Sequence, residues 1–140
     1  MHIAILSRWN ATCGVAMHAE LIVPHLKKNN DVTIFAPYVE SASRWWHHKV
    51  VRDDEDFVIR CYEERSPEGV GGRINFDEIL KHDFDVLLVE SYGSIPHGDV
   101  EKLAKVLREK GIKTFVVIHE GFFNKILSYN LYILKILNKL

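Results

Sequence analysis

Five short apolar runs, separated by amphipathic or polar stretches of helical character, constrain this chain more than anything else in it. They are HIAILS (2–7), DVTIFA (31–36), FVIRCY (57–62), DVLLVE (85–90) and TFVVIH (114–119). Four of them are almost continuously apolar and rich in Val and Ile, as strands covered on both faces of a parallel sheet must be. FVIRCY alternates more and belongs near an edge. Between the runs, helices are predicted over Val15–Lys28, with Pro24 kinking or shortening it, over Phe76–Lys81 and over Asp99–Lys110. In the last of these Val100, Leu103, Ala104 and Leu107 share one face, Asp99 is the expected N-cap and Gly111 the expected stop. Strand–helix alternation with short links predicts an α/β fold: a doubly wound, Rossmann-like three-layer sandwich of about five mainly parallel strands, with helices on both faces.

The 140 residues suit one domain, and 47% hydrophobic with 26% charged residues is the balance of a soluble globular chain. A net charge of −1 offers no basic face, so no nucleic-acid partner is expected. Two cysteines, Cys13 and Cys61, form neither a disulfide framework nor a zinc motif. The amino terminus lacks the basic start of a signal peptide and no run reaches the roughly 18 apolar residues of a membrane span. A cytoplasmic location is expected. The segment 124–140 is apolar around most of a helical wheel, with Asn124, Lys125, Ser128, Lys135, Asn138 and Lys139 on one side. Such a wide face calls for a cover: a second domain, a second copy of the chain or, least of all, a membrane surface. The chain also stops there without a cap, which suggests truncation.

In sheets of this class ligands bind where loops leave the carboxyl ends of the strands. The loops to inspect are Ser7–Gly14, Pro37–His48, Ser91–Gly98 and His119–Phe123. Ser7–Gly14 is neither a dinucleotide fingerprint nor a P-loop, since it has one glycine and no Gly-Lys-Ser/Thr. Its end nevertheless places the N–H groups of Cys13, Gly14 and Val15 at a helix start, a position that favours anions; an ordinary loop with a glycine fits equally well. Asp53–Asp56 reads as a solvated acidic turn and Ser66–Gly72 as a flexible surface loop.

The stretch from His2 to Pro37 resembles the amino-terminal half of GT-B retaining glycosyltransferases, the group related to sucrose and glycogen synthases and bacterial mannosyltransferases. Gly14-Val15-Ala16-Met17-His18 is similar to that family's Gly-hydrophobic-x-x-His helix start, and Asp31–Pro37 to its second strand. FDVLLVESYGSIP (84–96) and KTFVVIHEGFF (113–123) are similar to later strand ends, so the resemblance spans essentially the whole chain. Cys13 stands where the family has its first glycine, Asn29-Asn30 where it has Gly-His, and Glu90 where it commonly has histidine. Nothing matches the second domain, which in the family holds the sugar nucleotide.

The resemblance implies an acceptor-side domain for a nucleotide-sugar donor and a sugar or lipid-linked acceptor, with little or no transfer by this chain alone. It implies a place for His119 near the transferred sugar, as the catalytic candidate. Cys13, Gly14 and Val15 become the donor phosphate loop. Acceptor contacts fall to Arg8, His18, Trp45, Trp46, Tyr92 and Glu120. By itself His119 reads as a hydrogen-bonded strand-end residue, and His18 faces either the cleft or solvent. Of Trp45 and Trp46 one is expected to anchor its loop and one to stack on sugar. Tyr92 either contacts ligand or turns the chain. No cofactor or metal is expected; adjacent His47 and His48 are poor evidence for a metal, since neighbouring side chains seldom point the same way and no further ligands are evident. Three other readings remain: a non-catalytic binding or regulatory domain that dimerises through 124–140, a complete small enzyme using His119 with Glu90 or Glu120, and a glycosidase pair of Glu90 and Glu120.

Overall fold

The computed structural model describes residues 1–44 and 48–119. Within them the chain is a mixed α/β fold built on one six-stranded, mostly parallel sheet in the order β4-β3-β2-β1-β5-β6. Its elements are β1 (His2–Leu6), α1 (Gly14–Leu26), β2 (Asp31–Pro37), α2 (Val39–Ala42), β3 (Val58–Glu63), β4 (Arg73–Ile74), α3 (Phe76–Leu80), β5 (Val86–Ser91), α4 (His97–Glu109) and β6 (Lys113–Ile118). β1 lies at the centre, in register Ile3↔Val32 with β2 and Ile3↔Val86 with β5.

Side chains of a strand alternate between faces, so each central strand feeds two cores. From β1, Ala4 and Leu6 pack with Phe35, Leu87 and Val89 against Ile79 of α3 and Val100, Leu103 and Leu107 of α4. Ile3 and Ile5 pack with Val32 and Ile34 against Ala19 and Val23 of α1. Near-continuous apolar runs are the consequence, and all five predicted strands are present. β3 lies one strand in from the edge, beside β4.

Several expectations are corrected. A sixth strand exists, β4, which pairs antiparallel with β3 (Tyr62↔Ile74) and at two residues is too short to leave a pattern. Asp99 does not cap α4, which begins at His97 after Pro96. Its carboxylate instead accepts a hydrogen bond from the Ile74 amide at 3.0 Å, which fastens β4 to α4. Gly111 does end α4: with φ of 78° it lets its own amide reach the Arg108 carbonyl and that of Ile112 reach Leu107, a Schellman arrangement. α1 runs through Pro24, which falls in its last turns. α2 was not expected at all. The loop 66–72 is more ordered than its composition suggests. A turn closes between Ser66 and Gly69, and Arg65 donates to the Gly69 carbonyl at 3.0 Å. Gly72 is obligatory there, because a Cβ would come within 2.7 Å of Arg65 Cγ at a φ of +86°.

α3 has only five residues and depends on its cap: Asn75 accepts from the Glu78 amide at 3.1 Å. Asn75→Ala should cost about 1 kcal/mol in urea unfolding, and Asn75→Asp should be near neutral. A loss below about 0.3 kcal/mol for the alanine variant would show that packing of Ile79 alone holds α3.

Candidate functional site

The first loop is held rigidly. Asn10 adopts a left-handed φ of 54°, a conformation asparagine tolerates better than most side chains. Its amide donates to Glu20 at 2.9 Å, and its side-chain nitrogen donates to the Asp53 carbonyl, Asp54 and Glu55. Trp9 is buried and donates its indole N–H to Glu55 at 2.7 Å. The acidic run 53–56 is therefore not merely a solvated turn. It braces the loop after β1, and Arg60 in turn holds Asp54 (2.7 Å), keeping that carboxyl below its ordinary pKa. Thr12 and Val51 complete the brace through backbone bonds to Lys49 and Asn10.

The brace fixes the start of α1. Cys13 is the N-cap, its sulfur accepting from the Ala16 amide at 3.4 Å. Gly14 is exposed, and a Cβ there would meet nothing within 4 Å among the described residues, which leave the space over the first turn open. Val15 is half-buried and packs on the core below.

One turn further on, His18 leans across to β5. Its Nδ1 lies 3.1 Å from both carboxylate oxygens of Glu90, which is 0% exposed. His119, just past β6, brings its Nε2 onto Glu90 Oε2 from the other side. The two imidazoles meet edge to face with centroids 4.9 Å apart. His18 is thus both half-exposed and turned toward the sheet edge, and His119 sits where a strand-end residue was expected. Glu90, singled out in the sequence as a departure from the family pattern and as a possible carboxylate partner of His119 or Glu120, joins them. The three also form a group whose donor atoms lie within 4.8 Å of one another, near enough to hold a metal ion. The sequence offers no metal motif at these positions, and its only adjacent histidine pair, His47–His48, is a different one. Positions 18, 90 and 119 share no local spacing, so no sequence motif announces the cluster.

Arg8 and Tyr92 are placed differently from the acceptor contacts expected of them. Arg8 is 2% exposed and its guanidinium turns inward, pairing with both oxygens of Glu64 at 2.6 and 3.0 Å. It also donates to Ser94 at 2.8 Å, meets His48 and lies 4.7 Å over the Tyr92 ring. Burial works against the guanidinium's charge, but the bonds and charge of Glu64 outweigh it and hold the pKa above the ordinary value. Tyr92 is buried and shares a 2.7 Å hydroxyl–hydroxyl bond with Tyr62; burial raises both phenols. Arg8 and Tyr92 therefore form the wall under the loops rather than their exposed rim. Glu64 was missed. It follows β3 in an acidic, polar stretch that reads as surface, and the only hint was its position at a strand's carboxyl end. Trp45, Trp46, Glu120 and the segment 124–140 lie outside the described residues.

The carboxyl ends of β1, β5 and β6 thus carry an open helix start and a histidine–glutamate–histidine cluster, over a sealed arginine–glutamate pair. The strand order reverses at β1, with β2 on one side and β5 on the other; in doubly wound sheets such a reversal is where ligands bind. No protein-family model matches this chain. No solved structure matches it. No helix among the described residues is long and apolar enough to cross a membrane.

Proposed function

We propose that the chain is the acceptor-side half of a GT-B retaining glycosyltransferase, on a doubly wound, Rossmann-like three-layer sheet. The observation that carries this reading is the convergence of His18, Glu90 and His119 beside the open first turn of α1. Oriented N–H groups and fixed imidazoles suit a reaction whose main demand is stabilising a diphosphate leaving group, work that is electrostatic and needs little reorganisation. In this reading Cys13, Gly14 and Val15 face the donor diphosphate. His119, held by Glu90, offers a hydrogen bond to the transferred sugar, and His18 completes the acceptor side. Arg8 and Tyr92 support the loops from beneath. The nucleotide itself is left to a second domain, as in the enzymes the sequence resembles, and the location is the cytoplasm.

Sugar transfer by the polypeptide at the length found in its source cells, assayed with labelled UDP- and GDP-hexoses, tests the reading. Transfer is expected, and His119→Ala should reduce it at least about 100-fold. The 140 residues alone should turn over little or nothing. Absence of transfer from every donor at native length would overturn the proposal.

A second reading gains from one contact. His119 Nε2 on Glu90 is the acid–base pair that a complete small enzyme acting on a phosphorylated sugar would need. Turnover of sugar phosphates by the 140 residues, lost in His119→Ala, would select that reading over the first.

A further inference from the structure

Glu90 is a carboxylate with no exposure to solvent, and among the described residues its ion-pairing partners are His18 and His119. Burying such a group is expensive unless it is matched by opposite charge. A cation held between the three groups supplies that charge. We propose that His18 Nδ1, a Glu90 carboxylate oxygen and His119 Nε2 bind one divalent transition-metal ion of the zinc class.

The donor set selects the ion. Two imidazole nitrogens with one carboxylate suit Zn²⁺ and its neighbours, whereas Ca²⁺ and Mg²⁺ call for six or more oxygen ligands. The positions agree. The three ligands come from α1, β5 and the end of β6, and their donor atoms lie within 4.8 Å of one another. On a tetrahedral ion with bonds of about 2.0–2.1 Å, ligand atoms stand roughly 3.3 Å apart; His18 Nδ1 already lies 3.1 Å from Glu90, so it is the two imidazole nitrogens that must approach each other, by about 1.5 Å at most. His18 is free to do so, its side chain being 41% exposed, and His119 is 19% exposed. The gradient of burial, sealed at Glu90 and open at His18, leaves the fourth position toward solvent beside the first turn of α1. An ion there would carry a water or an anionic ligand oxygen. The inference does not rest on the glycosyltransferase reading and can stand if that reading fails.

The test is titration of the chelator-treated protein with Co²⁺, read by its visible d–d absorption, followed by displacement with Zn²⁺. One Co²⁺ per chain, displaced by one Zn²⁺, is expected. Loss of an outer-sphere partner already weakens metal binding about 10- to 100-fold, so His18→Ala and His119→Ala should each weaken Zn²⁺ by more than about 100-fold. Both positions are partly exposed, and circular dichroism should show both variants folded. His25→Ala, an exposed histidine on the same helix, should bind as the parent does. No saturable Co²⁺ spectrum, or one that both histidine variants retain, would overturn the proposal and leave the cluster a hydrogen-bonded triad only.

Discussion

Arg8→Ala should destabilise the protein by about 3–5 kcal/mol, the cost of leaving one partner of a buried ion pair uncompensated. Glu64 is fully buried, and the paired guanidinium reaches it through two nitrogens. Its main-chain amide is fixed as well, donating to Ser41 Oγ at 2.5 Å, so the carboxylate has little room to swing toward water. Arg8→Lys should recover only part of the loss, because a single ammonium cannot reproduce the forked contact with the carboxylate and Ser94. Replacing both partners, as in Arg8→Met with Glu64→Leu, should restore most of the stability, since an apolar pair of similar volume often matches a buried ion pair. Urea unfolding of the four proteins checks this. A loss below about 1 kcal/mol for Arg8→Ala would mean that the pair is solvated in a way its burial contradicts.

Acid should unfold the protein partly through His97. The imidazole is 7% exposed at the start of α4, and its pKa is pushed down to about 4, first by burial and then by the positive charge of Arg65. A hydrogen bond to the Tyr92 backbone works the other way but is outweighed. In the unfolded chain the same group titrates near its ordinary 6.5. Between these values the unfolded state binds the proton and the folded state does not, so stability falls as pH drops from about 6.5 to about 4. The difference of roughly 2.5 pH units corresponds to a loss of about 3 kcal/mol at the acid end. His97→Gln keeps a polar side chain that does not titrate. The gap in unfolding free energy between parent and variant should therefore narrow in the parent's disfavour by about that amount on acidification. A gap that stays constant across the range would show that His97 is protonated with little cost in the fold.

These residues also mark how far the sequence could be read. The strands of the central sheet were legible because they are covered on both faces, which forces continuous runs such as HIAIL and VLLVES. α4 was legible from its single apolar face, and its end from Gly111. β4 was not, because two residues carry no period. Asp99 misled because an acidic residue at a helix start has two uses, and here the carboxylate is taken by the neighbouring strand's Ile74 amide.

The site was legible in its parts and not in its assembly. His18, His119, Cys13, Gly14 and Val15 stood out, each at a strand or helix end. That His18 and His119 meet on Glu90 depends on β5 lying between β1 and β6, a strand order that no local pattern encodes. For Arg8, expected as an acceptor contact, the inward pairing is illegible for the converse reason. Its partner Glu64 is 56 residues away, and nothing between them signals the pairing.

The proposed glycosyltransferase role requires the diphosphate and sugar of a nucleotide sugar to bind between α1 and the ends of β5 and β6. Titrating the ¹⁵N-labelled polypeptide at the length found in its source cells with UDP-glucose and GDP-mannose, and following its amide resonances, tests this most directly. Saturable shifts concentrated at Cys13–Val15, His18 and His119, weakened in His119→Ala, are the predicted result. Saturable shifts elsewhere on the sheet, or none with either sugar nucleotide, would contradict it.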